Sequence, residues 1–227
     1  METRAIKRKA IFGLVQLMLV LGIVIFFAAG TLRFWQGWLY LFTFCVSCLL
    51  VTLYLVKKDL ALLERRLKAG PGGEKENTQK IIQLFASLSF VCIMLVPGLD
   101  QRFNWSRVPD LLVVISCLMA ALGFYIVFLV FRENTYTSAV IETAEGQSVI
   151  STGPYSKVRH PMYSGALLML LFTPPALDSY WGLIFFFPIF FVIVVRLLDE
   201  EKFLSKNLAG YSDYCMKVRY RLIPGLW

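Results

Sequence analysis

The chain has 227 residues, 58% of them hydrophobic, and its mean hydropathy of +0.66 lies far above that of an ordinary soluble domain. Its net charge of +8 comes from basic residues in short stretches between long apolar runs. That pattern is typical of the charges that orient membrane proteins. Composition therefore excludes a soluble domain and a nucleic acid partner, and it predicts an all-α polytopic membrane protein embedded in the lipid bilayer.

Six apolar segments approach the ~20 residues that a helix needs to cross a bilayer. In chain order they are residues 10–30, 36–56, 81–99, 109–131, 161–177 and 181–198. The fifth is short and ends at Thr173-Pro174-Pro175, so the sequence leaves open whether it crosses fully. The last two are close enough in sequence to form a helical hairpin. We divide the chain into four transmembrane helices (residues 1–131) and a C-terminal region (residues 132–227).

Residues 57–80 separate the second apolar segment from the third. Leu60, Leu63 and Leu67 fall on one face of a helix whose other faces are charged, which predicts a short helix lying in the membrane interface. The run Ala69-Gly70-Pro71-Gly72-Gly73 then ends that helix. We interpret this stretch as a topological linker, with a substrate gate as the alternative.

The distribution of basic residues predicts the topology. Six crossings would place 20 of the 23 lysines and arginines on one side, leaving Arg33, Arg102 and Arg107 on the other. By the positive-inside rule both termini are then cytoplasmic. His160 and Glu200 come to the same, cytoplasmic face, as a shared pocket requires. The pattern does not distinguish a bacterial inner membrane from the endoplasmic reticulum, and it does not fix an oligomeric state.

Metal chemistry is not expected. Cys45 and Cys48 form a C-x-x-C, but they lie inside an apolar run without a second ligand pair, so we interpret them as packing residues. The chain has one histidine and no carboxylate cluster beyond Glu200-Glu201. This donor set argues against a structural metal site.

The only histidine stands at a predicted helix start. Gly153-Pro154 marks a turn, and Pro161 is suited to the first turn of the fifth helix. Arg159 and His160 would lie at the positive end of that helix, where free backbone N–H groups can bind an anion. Ionisable groups at the edge of a membrane segment are costly, which makes them functional candidates.

The C-terminal region resembles the isoprenylcysteine carboxyl methyltransferase family, whose pattern is shared by phospholipid N-methyltransferases. The motif is Gly153-Pro154-Tyr155, Val158-Arg159-His160-Pro161-x-Tyr163, and then Arg196-x-x-x-Glu200-Glu201 after a membrane hairpin. Residues Gln147 to Ile150 and a tail containing Tyr211, Tyr214, Val218 and Ile223-Pro224 agree with it. The resemblance covers residues 130–227; the first half matches only as generic membrane helices.

The resemblance implies an S-adenosylmethionine (SAM)-dependent methyltransferase that releases S-adenosylhomocysteine and binds its cofactor at the cytoplasmic ends of the last helices. The implied catalytic residues are Arg196 and Glu200. The implied cofactor-binding residues are Gln147, Ser148, Val149, Ile150, Tyr155, Arg159, His160, Pro161, Met162, Tyr163, Glu200 and Glu201. The side chains suit the ligand: Arg159 and His160 its carboxylate, Glu200 or Glu201 its ammonium or ribose hydroxyls, and the tyrosines its adenine or sulfonium.

The acceptor is expected to be lipophilic and to enter from the membrane. A prenylcysteine-type carboxylate is favoured, because Arg196 could orient an anion; a phospholipid amine, an isoprenoid and a small thiol are the alternatives. A membrane reductase of the sterol type, using NADPH, is a rival enzyme class, although such proteins typically have Arg-Asp where this chain has Asp199-Glu200-Glu201. A non-catalytic membrane scaffold is the remaining alternative.

Overall fold

A computed structural model describes residues 2–67, 77–137, 143 and 146–227, and this part of the chain is helical without strands. In chain order its helices are α1 (Glu2–Ala29), α2 (Trp35–Lys58), α3 (Leu60–Arg66), α4 (Asn77–Phe103), α5 (Asp110–Glu133), α6 (Pro161–Ala176), α7 (Phe186–Asn207) and α8 (Tyr211–Lys217). Two short 3₁₀ helices, Gly153–Ser156 and Trp181–Phe185, precede α6 and α7. The predicted all-α polytopic class is confirmed. The division at residue 131 stays a prediction.

Five stretches of the described chain are long and apolar enough to cross a membrane. They are Thr3–Ala29, Trp35–Lys58, Gln79–Phe103, Asp110–Glu133 and Trp181–Asn207. The fifth predicted segment forms α6, which has only 16 residues. At 1.5 Å per residue such a helix is several ångströms shorter than the ~30 Å hydrocarbon core. It therefore reaches most of the way across, between longer helices.

Helix α6 packs chiefly against α5 and only slightly against α7, to which a short connection joins it. Two glycines allow this close approach. A Cβ atom on Gly123 would lie 2.6 Å from the carbonyl oxygen of Gly165, and one on Gly165 would lie 2.7 Å from the carbonyl oxygen of Gly123. Small residues at a helix crossing let two membrane helices bring their backbones together. This crossing holds the N-terminal turn of α6 beside the end of α5.

Helix α3 forms where the sequence predicts a short amphipathic helix. Asp59 caps it, accepting a hydrogen bond from the backbone N–H of Leu62 at 2.8 Å. Leu62 and Leu63 are buried in a cluster with Val130 and Phe131 of α5. The apolar face is thus partly covered by protein and not only by lipid. The predicted break at residues 69–73 lies outside the described residues.

The end of the bundle opposite α3 is closed by buried polar groups. The carboxylate of Asp178 accepts hydrogen bonds from the Val108 backbone N–H (2.7 Å) and the Gln36 side-chain amide (2.9 Å). That of Asp100 accepts from the hydroxyls of Ser106 and Ser179, each at 2.5 Å. We call these residues the distal clamp. Burial raises the pKa of Asp178, although the Val108 N–H opposes the rise.

Candidate functional site

A polar cavity of about 870 Å³, counted to its open mouth, lies where α5, α6, α7 and α8 converge. It is lined by Asn134, Tyr136, Thr137, Gln147, Ser148, Val149, Ile150, Tyr155, Arg159, His160, Pro161, Met162, Tyr163, Arg196, Glu200, Leu204, Leu208, Tyr211 and Tyr214. Every residue that the sequence assigned to the site is on its wall except Glu201. Four separate stretches of chain therefore meet at one place.

The turn before α6 has the expected geometry. His160 is the N-cap residue, with φ −125° and ψ 61°, and Pro161 occupies the first helical position. Proline is well suited there because its missing N–H would have no intrahelical partner. The side chain of His160 makes no capping hydrogen bond. The first turn of α6, with Met162 and Tyr163, thus lines the cavity with the positive end of the helix dipole.

The C-terminal tail holds this turn by its backbone. The N–H of Arg159 donates to the carbonyl of Tyr220, and the N–H of His160 donates to that of Arg221, both at 2.9 Å. The hydroxyl of Ser164 donates to the carbonyl of Leu222 at 2.6 Å. Leu222 is itself 4% exposed. The tail therefore forms the back of the turn that carries Arg159 and His160.

Glu201 lies behind the cavity wall and binds three basic side chains. Its Oε1 is 3.1 Å from Nη1 of Arg159 and 3.2 Å from Nε2 of His160. Its Oε2 accepts from Nε of Arg221 at 3.0 Å. The sequence left open which of two adjacent glutamates faces a ligand. The structure places Glu200 on the cavity and Glu201 against the turn and the tail.

Glu200 and Arg196 belong to a polar chain on the other wall. The hydroxyl of Tyr163 donates to Oε2 of Glu200 at 2.7 Å. Nη1 of Arg196 donates to Oε1 of Gln79 at 3.1 Å, and Nε2 of Gln79 donates to Asp199 at 3.0 Å. Arg196 is only 9% exposed. Because α4 supplies Gln79, the guanidinium is held from outside the motif-bearing region.

Arg66 of α3 adds a second positively charged group near Arg196. Its guanidinium lies 5.4 Å from the centre of the Phe131 ring. Burial lowers the pKa of Arg66, while the nearby Tyr163 and Glu200 oppose that shift and Arg196 reinforces it. The interfacial helix thus brings a second guanidinium close to Arg196, a link the sequence did not predict.

Tyrosines form much of the remaining wall. Burial raises the pKa of Tyr155 and Tyr214 above the ordinary value, so both hydroxyls keep their protons at neutral pH. The Tyr155 hydroxyl accepts from the Asn134 amide at 3.1 Å, and the Tyr214 hydroxyl donates to the Tyr155 carbonyl at 2.8 Å. The cavity therefore presents neutral aromatic groups whose orientation is fixed by hydrogen bonds.

Two buried polar atoms of cavity residues find no hydrogen-bond acceptor or donor among the described residues. They are Nε of Arg159 and the hydroxyl of Tyr211. Buried polar groups are nearly always satisfied, and an exception in a cavity wall is suited to a ligand. A carboxylate would satisfy Arg159, and a hydroxyl or a heteroaromatic nitrogen would satisfy Tyr211. Among the described residues, no group of three or more His, Cys, Asp or Glu is placed to hold a metal.

Sequence reasoning missed five lining residues. Asn134, Tyr136 and Thr137 follow the end of α5, and their place on the wall depends on how the chain leaves that helix. Leu204 and Leu208 come four and eight residues after Glu200. Helical periodicity places them on the same side as Glu200. Spacing alone could therefore have identified these two leucines.

Fold and site together define a multi-pass membrane protein with a polar, tyrosine-rich cavity at one end of its helical bundle. Residues 111–210, less than half of the chain, match the phospholipid methyltransferase family model. This match supports the predicted family, which includes isoprenylcysteine carboxyl methyltransferases. The matched region contains the turn, α6, α7 and most of the cavity wall.

A relative of this chain is named for a different activity. The chain is 32% identical to the Delta(14)-sterol reductase of Mus musculus over an alignment 129 residues long, which covers 49% of this chain and 30% of the relative. The chain thus matches less than a third of that protein's length. The likeness shows only that this chain shares sequence with part of a reductase.

Proposed function

We propose that the protein is an integral membrane methyltransferase that uses SAM and acts on a prenylcysteine-type carboxylate presented from the bilayer. The family match supports membrane methyl transfer. The observation that carries the choice of cofactor is the composition of the cavity wall. Among its described residues are two guanidiniums, one carboxylate and five tyrosines, with no lysine. This mixture suits a zwitterionic, cationic ligand with an aromatic base.

The cofactor is assigned to the side of the cavity nearest the tail. Nε of Arg159 and the first turn of α6 suit its carboxylate. Glu200 suits its ammonium or ribose hydroxyls, and Tyr155, Tyr211 and Tyr214 offer ring faces and hydroxyls. The backbone of residues 147–150 adds donors and acceptors along the wall. When bound, SAM supplies an electrophilic methyl group.

Arg196 is assigned to the acceptor. Held by Gln79, its guanidinium would bind one face of a carboxylate and orient the attacking oxygen. A carboxylate is already a nucleophile at neutral pH, so the protein needs to position it and exclude water. Correct positioning can contribute ~7–11 kcal/mol to rate acceleration. A phospholipid amine or a small thiol would also have to lose a proton, for which Glu200 is the nearest base.

A second candidate is an NADPH-dependent reductase of the sterol type, which the match to Delta(14)-sterol reductase favours. The 2′-phosphate of NADPH calls for cationic side chains that are available to it. NADPH carries three phosphate groups in all, whereas the described cavity wall offers two guanidiniums and no lysine. This arrangement supports SAM over NADPH.

Calorimetry on the purified full chain with SAM, S-adenosylhomocysteine and NADPH tests the choice of cofactor. We expect SAM and S-adenosylhomocysteine to bind with one site and NADPH to show no heat of binding. NADPH binding without SAM binding would overturn the proposal in favour of the reductase. Protein that unfolds cooperatively on heating but binds none of the three would favour a non-catalytic scaffold.

The acceptor is tested separately with SAM carrying an isotopically labelled methyl group. We expect label to enter N-acetyl-S-farnesylcysteine as a base-labile ester, identified by mass. A parallel incubation with phosphatidylethanolamine vesicles tests the amine alternative. Label in the phospholipid alone would replace the carboxylate with an amine while keeping the class of enzyme.

A further inference from the structure

The C-terminal tail contains a charged group that the family motif does not include. Arg221 is partly buried and donates from Nε to Oε2 of Glu201 at 3.0 Å. The other oxygen of that carboxylate meets Arg159 and His160. Two guanidiniums and one imidazole thus converge on a single carboxylate. In the described part of the chain, no other acidic side chain forms a hydrogen bond or ion pair with these three basic residues.

This convergence constrains the proton on His160. A carboxylate between two guanidiniums is ionised and can only accept hydrogen bonds. The nitrogen that faces it, Nε2, must therefore carry a proton. When one imidazole nitrogen is fixed by such a partner, the tautomer of the ring is fixed as well. In neutral His160 the remaining nitrogen, Nδ1, is then an acceptor.

The backbone of the tail reinforces the same geometry. The carbonyl of Arg221 accepts from the N–H of His160 at 2.9 Å, so one residue holds both the backbone and, through Glu201, the ring. Stacking on Tyr163, with ring centres 5.7 Å apart and planes inclined by 26°, restrains the imidazole further. Arg221 also lies 5.3 Å from the centre of the Trp227 ring.

We propose that Arg221 is a positioning residue that acts through Glu201 to hold the His160 ring with its proton on Nε2 and to aim Arg159 at the ligand. The assignment of that ligand as SAM rests on the proposed function. Arg221 itself is absent from the cavity wall. Arg221 therefore affects ligand binding only indirectly. Its effect on the His160 ring can be measured before any ligand is added.

The chain offers an unusually direct measurement, because His160 is its only histidine. Protein labelled with ¹⁵N-histidine and purified in detergent micelles gives one imidazole, whose tautomer is read from two-bond ¹H–¹⁵N correlations. We expect the neutral ring of the wild type to be in the Nε2–H form. Arg221→Ala should give a mixture of tautomers, and Arg221→Lys should restore most of the Nε2–H form.

Arg219→Ala is the matched control, because Arg219 carries the same charge in the same tail and its side chain is exposed. It should leave the tautomer and SAM affinity unchanged. We expect Arg221→Ala to weaken SAM binding about tenfold, the size of one lost charge-assisted hydrogen bond. A cooperative thermal unfolding transition verifies that each variant is folded. If Arg221→Ala does not fold, Arg221→Lys is compared with the wild type instead.

The outcomes separate the two proposals. An unchanged tautomer in folded Arg221→Ala, or an equal change in Arg219→Ala, would overturn the role of Arg221. A changed tautomer in Arg221→Ala, with no SAM binding by the wild type, would support the positioning role and contradict the proposed function.

Discussion

His160 is held by different parts of the chain at its backbone and at its ring. The tail carbonyl of Arg221 fixes the backbone N–H, while Glu201 of α7 binds the ring. His160 is 6% exposed and begins α6. A side chain restrained in this way loses little conformational entropy when a ligand binds, which favours a binding role.

Replacing this side chain tests whether it contributes to the cofactor site. We expect His160→Ala to weaken SAM binding about tenfold or more, because Glu201 loses a partner and Arg159 loses a neighbour that restricts its position. Calorimetry measures the change. Lys157→Ala, an exposed residue of the same turn, is the control and should bind normally. Unchanged affinity in the His160 variant would refute the assignment.

Arg196 should behave differently from His160. We expect Arg196→Ala to retain SAM affinity within about threefold and to lose methyl transfer by at least ~100-fold, because the guanidinium orients the acceptor. Binding by calorimetry and turnover with N-acetyl-S-farnesylcysteine give the two readouts. Lys202→Ala, whose side chain is 76% exposed, is a cationic control on the same helix. A variant that no longer bound SAM would move Arg196 to the cofactor.

Residues inside the motif were predictable, whereas their supports were not. The turn and the Arg196–Glu201 stretch are short, contiguous patterns whose residue types suit one ligand. Gln79 lies 117 residues from Arg196 in sequence, and no local pattern connects them. Adjacent residues on a helix point about 100° apart. Only the packing of α7 therefore decides that Glu200 faces the cavity and Glu201 faces the tail.

At the scale of elements, the crossing of α5 and α6 fixes the site. The lengths of the apolar segments predicted both helices, because hydropathy shows where such segments begin and end. The pair Pro174-Pro175 predicted that α6 would be short. Hydropathy does not predict which neighbouring helix a lipid-exposed helix will pack against. The pairing depends on Gly123 and Gly165, which are 42 residues apart in sequence and meet only in the folded bundle.

A methyl group at this crossing should be destabilising. We expect Gly123→Ala to lower the free energy of unfolding by about 1–3 kcal/mol, because the added Cβ would lie 2.6 Å from a backbone oxygen and 2.8 Å from the Met169 nitrogen. Thermal unfolding in detergent measures it. Gly13→Ala is the control, since nothing lies within 4 Å of its Cβ and alanine favours a helix. Equal melting temperatures for both variants would contradict the close crossing.

Across the whole molecule, polar groups are concentrated at the two ends of an apolar bundle. The cavity occupies one end, and the distal clamp joins the start of α2, the connection from α4 to α5 and the chain after α6 at the other. Because α5 and α6 both extend between the distal end and the cavity, we infer that the clamp restrains two of the helices that line the site. Composition predicted a membrane bundle, but it did not predict that two buried carboxylates would hold its far end.

Substitutions of Asp178 test whether the distal clamp stabilises the fold. We expect Asp178→Ala to lower the free energy of unfolding by about 2–4 kcal/mol. Two buried donors lose their acceptor, and alanine is strained at the φ of 58° that this position adopts. Asp178→Asn should cost much less, since asparagine tolerates this φ and the Gln36 amide can turn to pair with it. Thermal unfolding of both variants decides; similar large losses would contradict the role of hydrogen bonding.

The raised pKa of Asp178 also predicts a pH dependence. Burial favours the neutral form of the Asp178 carboxyl in the folded chain. The contribution of this carboxyl to folding stability is therefore fully present below the unfolded pKa of 3.8, and it is lost as pH rises through the folded pKa. The wild type should therefore lose stability relative to Asp178→Asn as pH increases across that window. Unfolding midpoints of the two proteins at several pH values measure the difference. A constant difference would exclude titration of Asp178.

The arrangement of the two ends predicts how the protein lies in the membrane. Helix α1 begins and α7 ends at the cavity end, while Arg33 and the distal clamp lie at the other end. Most basic residues of the described part of the chain lie at the cavity end. We expect the cavity to face the cytoplasm. In protein expressed in a bacterial inner membrane, with the five cysteines replaced by serine, a membrane-impermeant maleimide should label Arg33→Cys in intact cells and Leu226→Cys only after permeabilisation. The reverse pattern would place the cavity outside, where cellular SAM could not reach it.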